Sequence, residues 1–430
     1  MPDSRKTETQ VISIVQRGNL KALEKTMRKQ WRLGQNIVLC WSADERGLLV
    51  LFVPHYFLGN YCAADELNAG DDMDNEAFIR ELVSGQRRKT REELFAVAAR
   101  LDVSPTFIKL STALSDEACL LAEVEQLIRR YGISYVESRA VLLFDICGFS
   151  LRTPFEQASQ LNSLSYSMNS AYNKLLAHGI TIHFARTTTG DGYYVWNRDL
   201  GANADRDLFC FMMLVVADNA VARAASKGNT TPVIRCAFHI GSHYELYQAE
   251  GVNPTIFSYI VGDVTIELAR MVDLIEPYQL LMGEFTCELW DHESQSSVTG
   301  NTQSFVQACN EEGGNLAGIQ LSGRLISAVH CYLTQGEGYS GEVTARRFKV
   351  TDKHGLSRHA FNLQLEFDLE GELLKLGLSE GDLPGAVAAA TEGEKSLAEV
   401  EVKEAVSTEA LIVDLAALLK KRSKNVIVED

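Results

Sequence analysis

Four things are missing from this chain, and each removes a class of function. There is no surplus of positive charge, since 41 Lys and Arg stand against 57 Asp and Glu for a formal charge of −16. Binding a phosphate backbone needs a basic surface, so a general nucleic-acid binder is excluded, though a local basic pocket is not. There is no CxxC spacing among the nine cysteines. Their odd number, and the place of Cys40, Cys147, Cys210 and Cys236 inside apolar patterns, point to reduced thiols rather than disulfides or a zinc site. No signal-peptide core follows the polar start MPDSRKTETQ. No apolar run is long enough for a bilayer, the longest, Leu208 to Ala217, stopping at Asp218. Together these absences predict a cytoplasmic protein with no direct membrane contact.

What is present is ordinary in bulk and particular in detail. With 430 residues, 46% apolar and 23% charged, the chain has material for two or three domains with a sizeable core. Val141 to Phe144, in VLLFDICGFS, reads as a buried strand that stops on Asp145. A carboxylate at a strand end serves either a cation or a turn or helix cap. His183 to Trp196, HFARTTTGDGYYVW, reads as two strands around a Gly-Asp-Gly tip. Between the two pieces Phe155, Ala158, Leu161, Leu164, Met168, Tyr172 and Leu175 recur at helical spacing. Strand, helix and hairpin bring Asp145 and Asp191 to one end of one sheet. Two carboxylates so placed repel unless cations sit between them, and hard oxygen ligands suit magnesium or manganese. Taken alone, Asp191 reads as an ordinary turn residue rather than a ligand.

The blocks DICGFS, TTTGDGYY, RCAFHIGSHYEL and YIVGDVTIELARMVDL, in this order, resemble the catalytic domain of class III nucleotidyl cyclases over roughly half the chain. The resemblance implies an α+β fold: a ferredoxin-like βαββαβ catalytic domain over 136–366, with a mixed α/β N-terminal region and a C-terminal extension. It implies attack of a ribose 3′-hydroxyl on the α-phosphate of a nucleoside triphosphate, with release of pyrophosphate. In the family two Mg²⁺ or Mn²⁺ ions are held at the positions of Asp145, Asp191 and the Ile146 carbonyl. Arg270 matches the arginine that stabilises the pentavalent phosphorus, Lys353 a phosphate-binding lysine, and Phe149 falls in the substrate pocket. The aspartates and the arginine come from different protomers, so a homodimer with composite sites is implied.

Three positions depart from the purine-cyclase pattern. The purine-reading lysine is replaced by Thr187, with Arg186 beside it; the purine-choosing acid or cysteine is Tyr259; the ribose-holding asparagine is Ile266. One explanation is a pocket rebuilt for a smaller base, since Tyr259 fills the volume of a second ring and Thr187 is a neutral donor or acceptor. That resembles the pyrimidine cyclases of bacterial anti-phage systems, with UTP favoured over CTP and a cyclic product acting on a separate effector. The others are a degenerate nucleotide-binding or regulatory domain and an ordinary adenylate or guanylate cyclase.

The remaining segments are less specific. Residues 1–115 form an N-terminal module, with a helix carrying Leu20, Leu23, Met27 and Trp31, and a hairpin from Ile37–Cys40 to Leu48–Val53. Its roles are packing and dimerisation, or sensing and autoinhibition. Residues 116–135 read as a connecting helix capped by Ser115, either a coupling rod or a core helix. His239 reads as a structural histidine, and residues 244–254 as a loop. From Asp263, Val264, Leu268, Met271 and Val272 form a buried stripe, while Asp263, Ile266 and Arg270 lie opposite. Taken alone, Arg270 is a surface charge or a partner of Glu267. Residues 294–341, rich in Gly, Ser, Asn and Gln apart from Leu321 to Tyr332, read as an insertion or mobile loop; Phe348 to Leu365 as a hairpin around DKHG; and 367–430 as linker and terminal helix.

Overall fold

The structure, a computed structural model, describes residues 12–63, 75–250, 255–291, 296–311, 316–337, 343–351, 357–379 and Leu383. The N-terminal module comprises α1 (Ile14–Trp31), β1 (Asn36–Asp44), β2 (Gly47–Pro54), α2 (Phe57–Ala63), α3 (Asn75–Ser84), α4 (Arg91–Leu101), β3 (Thr106–Lys109) and α5 (Ala118–Arg129). Its three strands pair in order as an antiparallel sheet. Alternation along β1 turns Val38 to one face and Leu39 to the other, so each face acquires its own helices. Leu23, Met27 and Trp31 of α1 meet Val124, Leu127 and Ile128 of α5 on the Val38 face. Ile79, Leu82 and Val83 of α3 and Leu94, Ala98 and Leu101 of α4 cover the Leu39 face. Helix α5 is thus a core helix of this module rather than a rod. It begins two residues later than expected, with Glu117 in place of Ser115 at its N-cap.

The central domain runs β4 (Ile133–Ile146), α6 (Pro154–Ala177), β5 (Phe184–Thr188), β6 (Gly192–Asn197), α7 (Ala202–Ala225) and β7 (Ile234–Glu250). This is a βαββαβ unit with strand order β7-β4-β6-β5, every neighbouring pair antiparallel. The fold is α+β, as the sequence implies. Beyond it lie β8 (Thr255–Val261), α8 (Asp263–Val272), β9 (Leu280–Gly283), β10 (Thr286–Asp291), β11 (Ser296–Asn301), α9 (Thr302–Glu311), β12 (Gln320–Leu321), β13 (Arg324–Leu333), β14 (Gln335–Glu337), β15 (Val343–Ala345), β16 (Arg347–Thr351), β17 (Ser357–Leu369) and β18 (Glu372–Leu376). Strands β9, β17, β13 and β12 continue the sheet beyond β7.

Strand period sorts β4 onto two faces. Leu142, Phe144 and Ile146 meet Leu164, Met168 and Leu175 of α6 and Phe209, Phe211 and Met212 of α7. Val141 and Leu143 meet Val264, Leu268, Met271 and Val272 of α8. Helix α7 is long and apolar enough to cross a bilayer, but its apolar residues are spent on this core.

Three expectations change. Residues 244–250 continue β7 and pair with β8, so they are not a loop; Tyr244 lies opposite Val261. Within 294–341, helix α9 adds Phe305, Val306 and Cys309 to the main core, and β13 pairs with β17. Apolar spacing at i, i+1 and i+4 formed a buried stripe there despite polar surroundings. The C-terminal boundary at 366 cuts β17, and β18 still belongs to the sheet. The expected hairpin of 348–365 is the antiparallel pair β16 and β17. Its DKHG tip with Lys353, and the terminal helix, lie outside the described residues.

One side chain ties the N-terminal module to the start of β4. Arg87 is fully buried, and its guanidinium donates to the carbonyls of Val38 (2.5 Å) and Leu39 (3.2 Å), to the Ile133 carbonyl and to Ser134 Oγ (3.1 Å). Burial pulls its pKa down to about 10, so it stays charged at neutral pH.

Candidate active site

The two candidate aspartates meet where β4 and β6 end. Asp145 lies opposite Gly192, and the Ile146 N–H donates to the Asp191 carbonyl at 3.0 Å. Local sequence enforces this. A Cβ on Gly192 would fall 1.9 Å from the Phe144 carbonyl oxygen, so only glycine lets the strands close here. Gly190 takes φ of +106°, a turn conformation that side chains disfavour. Within the tip, Thr189 Oγ1 donates to Asp191 Oδ1 at 3.3 Å.

Asp145 follows Val141 and Leu143 on the face covered by α8. It is 9% exposed. Burial pushes its carboxyl above the usual range; Arg235 opposes this, while the charges of Asp191 and Asp273 add to it. Arg235 stands directly across the β4–β7 ladder, and its Nε donates to Asp145 Oδ2 at 2.7 Å. Its Nη1 donates to the Ile275 carbonyl, also at 2.7 Å, just past the end of α8. Sequence reasoning passed over Arg235. The available signal was an arginine opening the otherwise apolar RCAFHI strand.

Helix α8 is held over this face by Tyr194, whose hydroxyl donates to the Thr265 carbonyl at 2.9 Å and whose pKa burial pushes up to about 12. Its inner stripe is the one expected from the sequence, and Ile266 is 46% exposed on the outer side. Arg270 is partly exposed, one turn before Asp273. Glu267, one neighbour that the sequence offers as its partner, is paired with Arg358 of β17.

The pocket candidates divide by strand parity. Thr187 lies opposite Tyr194 and so shares the α8 face with Asp145. Arg186 lies opposite Val195 on the other face, its guanidinium 5.3 Å from the Tyr193 ring centre. The structure therefore separates Arg186 from the aspartate pair, because adjacent strand residues point to opposite sides. Tyr259 sits on β8 opposite Leu246, and β8 packs near β5. Phe149, in the turn after β4, packs against the α6–α7 core. His239 is buried in β7, and burial with Arg358 nearby lowers its pKa to about 4, as befits a neutral structural histidine.

The donor set at the strand ends fits a hard divalent cation. Among the described residues no cluster of three or more His, Cys, Asp and Glu is built to cage a metal. Two carboxylates at neighbouring strand ends, the charge of Asp191 adding to the proton affinity of Asp145, suit magnesium, which binds through one or two carboxylates and completes its shell with water and substrate phosphates.

No family model and no curated protein matches the chain. Among solved structures it is similar to the adenylyl cyclase CyaB from P. aeruginosa, at 13% identity and a TM-score of 0.32, covering 59% of this chain and 99% of that one. The guanylyl cyclase Cya2 aligns at 10% identity and 0.29, covering 53% and 91%. The catalytic core of a rhodopsin-guanylyl cyclase, in complex with ATPalphaS, aligns at 17% and 0.28, covering 39% and 96%.

Proposed function

We propose that the chain is a metal-dependent nucleotidyl cyclase acting on a pyrimidine nucleoside triphosphate, UTP before CTP, and releasing the 3′,5′-cyclic monophosphate and pyrophosphate. The observation that carries this is the meeting of Asp145 and Asp191 at neighbouring strand ends, coupled in charge and drawn from two of the four cyclase-like blocks. Asp145, Asp191 and the Ile146 carbonyl are the groups that hold the ions. Bound there, Mg²⁺ or Mn²⁺ supplies acidity to the 3′-hydroxyl and neutralises the triphosphate.

The rest falls to the chain. Alignment and charge neutralisation dominate phosphoryl chemistry, so Arg270 on the outer side of α8 is assigned the charge that develops on phosphorus. That side faces away from its own sheet, which supports a homodimer in which one protomer's Arg270 completes its partner's aspartate site. Thr187 shares the Asp145 face and offers a neutral hydroxyl to the base; Tyr259 supplies bulk where a purine would need room. The cyclic nucleotide is assigned to a separate effector, in the anti-phage setting that the sequence resemblance suggests.

The test is incubation of purified protein and Mn²⁺ with each of the four ribonucleoside triphosphates. Cyclic product from UTP or CTP supports the assignment, and product from ATP or GTP removes the base preference. No turnover of any of them makes the domain a degenerate nucleotide binder. Asp145→Ala and Asp191→Ala should each abolish product.

A further inference from the structure

The geometry points to Arg235 as a positioning residue for Asp145, deepening the metal-site reading above and resting on it. Register places the two residues directly opposite each other on the α8 face. The planar guanidinium spends Nε on Asp145 Oδ2 and Nη1 on the Ile275 carbonyl, both at 2.7 Å. Ile275 is itself 4% exposed in the α8-side core, so one end of the fork is anchored in packed structure. The arginine's two contacts fix the carboxylate's rotation and commit Oδ2, leaving Oδ1 for the cation. Asp145 is therefore held in place before any ion arrives, against the repulsion of Asp191 and Asp273. Lysine lacks this fork, so the arrangement calls for arginine.

The role makes a prediction opposite in sign to simple electrostatics. Removing a positive charge beside a cation site should tighten cation binding by Coulomb's law alone. Removing the group that orients a ligand carboxylate should weaken it, typically by about 10- to 100-fold. The measurement is titration of the full chain with Mn²⁺ alone, followed by electron paramagnetic resonance at pH 8, for wild type, Arg235→Gln, Arg235→Lys and Asp145→Ala. The expected result is weaker Mn²⁺ binding in Arg235→Gln by about tenfold or more, and a smaller loss in Arg235→Lys, which keeps the charge without the fork. Unchanged or tighter binding in Arg235→Gln overturns the proposal. Should that variant not fold, Mn²⁺ binding at the wild-type level in Arg235→Lys overturns it instead. Wild-type protein that binds no Mn²⁺, or binds it equally with Asp145→Ala, removes the metal site and the proposal together. Binding lost in Asp145→Ala but kept in Arg235→Gln removes the proposal alone.

Discussion

Asp205, in the first turn of α7, accepts the backbone N–H of Ala140 on Oδ1 at 2.8 Å. Ala140 sits just after the irregularity between Val136 and Arg139 in the β4–β7 ladder, and just before the β4–β6 pairing begins at Val141. An acid thus supplies the acceptor that this stretch of β4 lacks. The strand can then run straight on to Asp145.

Burial pushes Asp205 up to about 6, against a normal carboxylate value near 4. The folded state therefore holds this proton more tightly than the unfolded state does. The resulting stability is fully present below pH ~4 and is lost as pH rises through ~6. Asp205→Asn keeps an oxygen for the Ala140 N–H and cannot ionise. Urea unfolding from pH 4 to 8 should find the variant more stable than wild type by about 1 to 3 kcal/mol at pH 7, with the difference vanishing toward pH 4.

Arg87 gives a prediction without charge titration. Arg87→Met strands the carbonyls of Val38, Leu39 and Ile133 and the hydroxyl of Ser134, groups that the guanidinium satisfies inside the protein. The expected loss is about 3 to 5 kcal/mol in urea unfolding. Gly132→Ala attacks the same spot, since its Cβ would lie 2.7 Å from Arg87 Nη1 and 2.6 Å from the Val38 carbonyl oxygen. The two losses should fall well short of adding in the double variant, because either change alone breaks the same contact.

The two glycines of the hairpin tip should behave differently. Gly192→Ala drives a methyl into the backbone of Phe144 and must part β6 from β4, carrying Asp191 away from Asp145. The proposed cyclase activity and the proposed Mn²⁺ binding should both be lost. Gly190→Ala meets no atom within 4 Å and pays only for its φ of +106°, about 1 to 2 kcal/mol. It should retain measurable Mn²⁺ binding in the same titration.

How much of this could be read beforehand followed from how local each signal was. Asp145 and the Gly-Asp-Gly tip were legible because an apolar strand, a helical period and a hairpin each declare themselves within a few residues. Arg235 was not, because its meaning depends on standing across a ladder from Asp145, 90 positions away in the chain. The polar side chains of β7 from Ser242 onward disguised a strand as a loop, although its partner β8 satisfies the backbone. Helix α9 was hidden by composition: Phe305, Val306 and Cys309 reach the main core from a segment otherwise rich in Gly, Ser, Asn and Gln. Arg186 and Thr187, adjacent in sequence, were read as one pocket element, and strand alternation parts them.

The composite-site assignment can be tested by complementation. Asp145 is fastened to its own sheet by Arg235, whereas Arg270 lies on the side of α8 opposite the buried stripe, near an isoleucine 46% exposed. If each active site takes its aspartates from one protomer and its arginine from the other, Asp145→Ala and Arg270→Ala homodimers are both dead. A heterodimer of the two carries both lesions in one site and none in the other. Random exchange at equal concentrations makes half the dimers heterodimers with one intact site each, so the mixture should recover about a quarter of wild-type activity. Activity that stays at zero, while light scattering and a tagged pull-down show that heterodimers have formed, places the arginine and the aspartates of each site on the same chain.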